Sequence, residues 1–318
     1  MSRTMLAEKE TYMAKTTFSG PVRSENGFEV VEKNATTGVI TNRGRIGSTK
    51  NADRFYLEEY WYQRPGLNAV NIIDPDADDA SALAVTQAAN KNFEVLGTNM
   101  TTALCTFNST AAGIILTTAG ADQDQAIVLP HLDTNQTIWS GTKWGTENQV
   151  EWECSINTNA IDNQKVWAGL KLTNDQLVAT DANLAFFKFQ TDATNSEAFT
   201  DFTKWHFVHS IGGTDYISQL PITVAANTNY HFRIKFDSDR KMEIFVNGIQ
   251  YNITDTSGST GGTAVTETAQ QQDPKGLHKS TAMTDDIDLI PYIGIEAGAA
   301  AAEAVDVHYE SISRKIFE

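Results

Sequence analysis

The sequence predicts an all-β protein, an antiparallel sandwich preceded by an extended N-terminal segment. Three observations carry this. Apolar and polar residues alternate over several separate stretches, the period of a strand with one buried face. Met242, Ile244 and Val246 run into Asn247-Gly248, a dipeptide suited to the tight turn of a hairpin. Thr, Asn, Asp, Ala and Gly are plentiful, a mix that leans towards strands and turns.

Residues 1–64 read as an extended docking arm. A polar leader, residues 1–12, precedes Met13-Ala14-Lys15, which has the form of a second translation start. The arm proper opens TTFSGPVRSENGF, where Gly20-Pro21 and Asn26-Gly27 leave pieces too short for a helix. It carries large apolar groups without enough neighbours to bury them. Phe18, Val22, Phe28 and Val30 are spaced for a chain pressed onto a partner, and Pro21 and Arg23 belong to the same contact. It closes on an aromatic knot from which Phe55, Tyr56, Tyr60 and Trp61 are expected to dock as well.

Residues 65–92 read as a linker through Pro65-Gly66 and the acidic run DPDADD. From Phe93 to Glu318 the pattern is steadily β. Val150, Trp152, Cys154 and Ile156 alternate with Glu151, Glu153 and Ser155. Val166, Ala168 and Leu170 continue that rhythm, as do Tyr230, Phe232, Ile234 and Phe236, and finally Val305, Val307 and Tyr309. Residues 255–284 interrupt it with a polar, low-complexity stretch that reads as a long loop or insertion.

Charge narrows the choice of partners. The formal net charge of −16 argues against nucleic acid and against anionic membrane surfaces. Residues 1–64 hold 10 Lys/Arg and 8 Asp/Glu, so a slightly basic arm precedes a body of net −18. No run approaches the roughly 18 apolar residues of a membrane span, and no secretory-type apolar stretch stands near the start. The 2 cysteines, Cys105 and Cys154, sit in apolar phase and read as buried free thiols.

Several blocks carry a resemblance. NTNYHFRIKFDSDRKMEIFVNGIQ resembles the strand–turn–strand of concanavalin A-like (laminin G-like) jelly rolls. GIILTTAGADQDQA, WAGLKLTN, FTKWHFVHSIGGTD and DLIPYIGIEAGAAAAEAVDVHYESISR resemble jelly-roll domains of marine tailed-bacteriophage virion proteins, and KTTFSGPVRSENGF resembles their N-termini. The resemblance implies a concanavalin A-like jelly roll over 93–318. It further implies a non-enzymatic virion component, a capsid decoration (cement) protein made in the host cytoplasm and carried on the capsid surface. Its partner would be the major capsid protein, bound through the arm, and three-fold lattice positions would suit a homotrimer.

The alternative is a carbohydrate-binding protein of a tail or head fibre, with Trp139 and Trp144, which flank glycines in a turn-rich stretch, as sugar-stacking residues. The same fold includes glucan-cleaving enzymes with an E-x-D-x-x-E row. The nearest match starts at Glu151, but Ile156 stands where the second catalytic glutamate belongs. No cofactor is implied. Asp74, Asp76 and Asp78 read as a solvated acidic turn, with calcium as the alternative, because Asp79 and Val85 break the calcium-loop pattern. Asp285, Asp286 and Asp288 likewise read as a solvated acidic turn, with calcium as the alternative.

Overall fold

A computed structural model describes residues 29–33, 40–45, 54–67, 90–101, 103–130, 144–173, 177–191, 197–268 and 280–316. Its strands in chain order begin with β1 (Glu29–Lys33), β2 (Ile40–Arg45), β3 (Arg54–Glu59), β4 (Pro65–Leu67) and β5 (Asn90–Gly97). Next come β6 (Cys105–Phe107), β7 (Ile114–Thr117), β8 (Gln125–Pro130), β9 (Glu151–Thr158), β10 (Gln164–Lys171) and β11 (Leu184–Gln190). After them follow β12 (Ala198–Phe199), β13 (Lys204–Ile211), β14 (Thr214–Thr223), β15 (Thr228–Phe236) and β16 (Met242–Val246). The last are β17 (Ile249–Tyr251), β18 (Thr260–Gly261), β19 (Thr263–Ala264), β20 (Ile290–Ala297) and β21 (Ala304–Lys315). Among the described residues, helix is limited to two short 3-10 turns, Thr146–Asn148 and Val178–Thr180.

Two large, mainly antiparallel sheets make a sandwich, as the alternation predicted. The nine-stranded sheet runs β19-β14-β13-β11-β10-β20-β8-β5-β4. The eight-stranded sheet runs β17-β16-β15-β9-β21-β7-β6, with β3 also paired to β21. The inner faces bury the alternating set named from sequence: Trp152, Cys154 and Ile156 share one core with Val166 and Ala168, and Phe187 joins them there. Phe187 stacks on Phe232 across the sandwich at 4.5 Å, and Trp205 meets Phe232 edge-on at 4.7 Å. Burying such rings is the main stabilising term, about 2 kcal/mol or more each. The hairpin between β16 and β17 turns at Asn247 and Gly248, with φ of 51° and 79°, the positive values this turn requires. Cys105 and Cys154 are free and buried.

The sandwich begins earlier than the expected boundary at Phe93. β3 pairs with β21 from Arg54↔Lys315 to Glu59↔Glu310. β4, within the expected linker, lies parallel to β5 at the end of the nine-stranded sheet. The arm as predicted therefore has two parts: β3 belongs to the body, whereas β1 and β2 pair with each other and join neither sheet. The stretch 255–284 is also less loop-like than expected. Within it β18 pairs with β12, β19 extends the nine-stranded sheet beside β14, and Met283 is buried. Residues 269–279 lie outside the described residues.

Candidate interaction surface at the foot of the N-terminal segment

β3 fastens the segment to the body. Arg54 Nη2 donates to Ser313 Oγ at 2.9 Å and to the Gln149 carbonyl at 2.8 Å. Alternation then divides the aromatic knot. Phe55, Leu57 and Glu59 point inward, and Phe55 lies against Trp144 with ring centres 5.7 Å apart. Trp61 turns back into the core, 2% exposed and edge-on to Phe93 at 5.3 Å. Its backbone has φ of 58°, unusual for a bulky residue, and its N–H donates to Glu59 Oε1 at 2.6 Å.

The residues expected to bind a partner thus fare differently. Trp61 is a core residue of its own chain, because Phe93 and the core it belongs to supply the apolar neighbours that the segment lacks locally. Tyr56 is half-buried and Phe55 is 37% exposed. Tyr60 and Tyr62 remain open, at 50% and 87%. Val30 lies on β1, opposite Gly44 of β2. Phe18, Pro21, Val22, Arg23 and Phe28 lie outside the described residues.

The open tyrosines adjoin a polar row on the outer face of the eight-stranded sheet. Tyr60 packs on Tyr309 at 4.8 Å and faces Tyr62 at 6.4 Å. Tyr309 Oη donates to Glu153 Oε1 at 3.1 Å, and His231 Nε2 stands 3.5 Å from Glu153 Oε2. Burial works to raise the Glu153 carboxyl, but the hydrogen bonds and charges of His231, Arg233 and Tyr309 outweigh it and hold the group below its ordinary value. Arg233 Nη2 pairs with Glu151 and lies over Phe245 at 5.2 Å. The carboxylates that most nearly match a glucan-cleaving row are therefore engaged within this chain, Glu151 with Arg233 and Glu153 with His231 and Tyr309, and Ile156 is fully buried in the core.

Trp144, expected as an exposed sugar-stacking residue, is 7% exposed and packed beside Phe55, so its face is not offered to a ligand. Trp139 and the Asp74, Asp76 and Asp78 trio lie outside the described residues. Asp285 is largely exposed and stands 3.4 Å from Arg240 Nη1. Among the described residues no group of three His, Cys, Asp or Glu is arranged to hold a metal.

A second assembly, not foreseen from the sequence, lies on the outer face of the nine-stranded sheet. Lys165, Lys171 and Lys188 are there, each fully buried. Lys165 pairs with Glu296, which also accepts from Gln125 Nε2 at 2.6 Å. Lys171 stands 3.3 Å from Asp181, and Lys188 3.5 Å from Glu197. Glu197 Oε1 accepts the Val178 N–H at 2.6 Å, and Phe199 of β12 stacks on His206 at 3.7 Å. The 197–199 segment and the Val178–Thr180 turn thus roof this face. Trp167 lies over Gly294, where a Cβ would come within 2.3 Å of the indole. Burial pushes Lys188 down to about 8 and His206 down to about 4. Each lysine meets a carboxylate of this chain, so the assembly is closed. The available signal was LAFFKFQ of β11, whose aromatic residues fall in both phases of the alternation.

No family model and no curated protein matches this chain. Among solved structures, peanut lectin is 10% identical with a TM-score of 0.42, covering 84% of this chain and 100% of its own. The carbohydrate recognition domain of Emp46p is 7% identical with a TM-score of 0.41, covering 80% and 98%. The Bacillus licheniformis β-glucanase is 10% identical with a TM-score of 0.39, covering 70% and 92%. These are distant likenesses.

Proposed function

We propose that the chain is a non-enzymatic structural protein of a tailed-phage virion, a capsid decoration protein whose N-terminal segment docks on the major capsid protein and whose sandwich projects from the capsid surface. The observation that carries this reading is the division of the N-terminal segment. β3 is stitched into the body, while the β1–β2 ribbon before it shares no ladder with either sheet and approaches the body only where β2 comes near β17. A two-stranded ribbon outside a larger sheet is at best marginally stable in water and gains from packing on a further surface. The charge division supports the same reading: a slightly basic segment can approach an acidic shell, while the acidic body stays in solvent. Tyr60 and Tyr62 add an aromatic contact at the foot of the segment. Three-fold lattice sites would suit a homotrimer, which sedimentation would reveal.

The test is a truncation that starts at Arg54. A cut at residue 64 would remove β3 and the core indole of Trp61 and confuse docking with folding. The shortened protein should keep its far-ultraviolet spectrum and melting temperature but lose binding to emptied heads. Undiminished binding would sink the proposal.

A second reading, saccharide binding by a fibre protein, is favoured by one observation: Tyr60, Tyr62 and Tyr309 form an aromatic cluster next to Glu153 and His231. A glycan-array signal abolished by Tyr62→Ala would select it.

A further inference from the structure

The join between β3 and β21 contains two acids turned inward. Glu59 and Glu310 lie directly opposite each other in the antiparallel register. Cβ atoms so placed are about 5 Å apart. Glu310 is 0% exposed and Glu59 8%. Trp152 Nε1 donates to Glu310 Oε1 at 3.0 Å, and Glu310 Oε2 has no partner. Glu59 Oε1 holds the N–H of Trp61, the residue kept at positive φ with its indole in the core. A carboxylate at Glu310, out of water and with a second acid facing it, is costly to ionise.

We propose that Glu310, with Glu59 facing it, forms a proton-sensitive latch: while Glu310 holds its proton, β3 and Trp61 stay seated, and loss of that proton drives them off the body. The consequence is that the attachment point of the N-terminal segment loosens with rising pH. This holds whatever the segment binds, so it stands apart from the capsid reading.

The surroundings of Glu310 fit the role. Across β9, Cys154 is its register partner, a thiol that burial and then the charge of Glu310 keep protonated. Glu153 lies on the opposite face of the same strand, turned to His231 and Tyr309. On β21 itself, Arg314 donates to the Lys315 carbonyl and His308 Nδ1 is at the Ala112 carbonyl. On β3, Glu58 faces outward with Tyr56. Among the described residues no cation pairs with Glu310. Burial raises its carboxyl, the Trp152 hydrogen bond opposes this, and Glu59 raises it again, leaving it at about 8. An acid raised on seating binds a proton as the strand docks, so the seated state is favoured most below the ordinary carboxylate range and less as pH rises towards 8.

Tryptic cleavage of the full chain after Arg54 reads the latch. Rates are taken from pH 6 to 9 and divided by those of an unfolded peptide spanning residues 50–66. Cleavage after Arg233 on β15 reports global unfolding in the same digest. The normalised rate at Arg54 should rise by about tenfold per pH unit up to about pH 8 and then level off, while Arg233 stays protected. Glu310→Gln keeps an acceptor for Trp152 and cannot ionise, so its rate at Arg54 should be flat. A flat wild-type profile, or a Glu310→Gln profile that climbs like wild type, overturns the latch. Should Glu310→Gln fail to fold, Glu59→Gln decides. Removing the repulsion should make cleavage level off at a lower pH, and an unchanged profile overturns the proposal.

Discussion

Trp61 and Tyr62 are neighbours in sequence and opposites in structure: one is 2% exposed and the other 87%. Their substitutions should separate accordingly. Trp61→Ala removes a core indole and should cost about 3–5 kcal/mol, seen as a lower melting temperature. Tyr62→Ala should change stability by no more than about 0.5 kcal/mol, since its ring is mostly in solvent. If the foot of the segment is a contact, Tyr62→Ala should nonetheless weaken binding to heads. The sequence marked both residues as one aromatic knot and could go no further. A positive φ at Trp61 and the proximity of Phe93 decide which ring turns in. Trp144 gives the same lesson, because flanking glycines suggested exposure while Phe55, nearly ninety positions earlier, covers it.

At the level of elements, the inner faces were legible. Val150 to Ile156 and Tyr230 to Phe236 alternate cleanly, because one side of each strand meets the core and the other meets a polar surface. The outer face of the nine-stranded sheet was not legible. Lys165, Lys188 and Glu296 fall in the phase that normally means solvent, and only the roof formed around Glu197, Phe199 and Val178 buries them. Their energetics should therefore be those of buried pairs. Glu296→Ala removes the carboxylate paired with the buried Lys165 and should destabilise by about 3–5 kcal/mol in chemical denaturation. Replacing both, Lys165→Met with Glu296→Leu, should be neutral or stabilising, because the desolvation cost of both charges disappears together.

For the whole molecule, buried titratable groups predict a pH profile. Burial lowers His206 to about 4 and His209 to about 3, from an ordinary 6.5. Unfolding lets both rings take up protons below about 6.5, so stability falls as pH drops from there towards 3. Glu310 works the other way, and its contribution shrinks as pH rises towards 8. Between pH 5 and 8 these groups place maximum thermal stability near 6.5, and calorimetry across that range checks it. His209→Phe, which keeps an aromatic ring against Tyr216, should move acid unfolding to lower pH. The sequence by itself determined the all-β class, the strand phases, the hairpin at Asn247-Gly248 and the uneven charge, because each depends on residues adjacent in the chain or on composition. Only the tertiary structure decided where the body begins, which aromatic rings are surface, and that three lysines and two facing glutamates are buried. Those outcomes depend on what strands from distant parts of the chain place beside each residue, and burial is a property of that company.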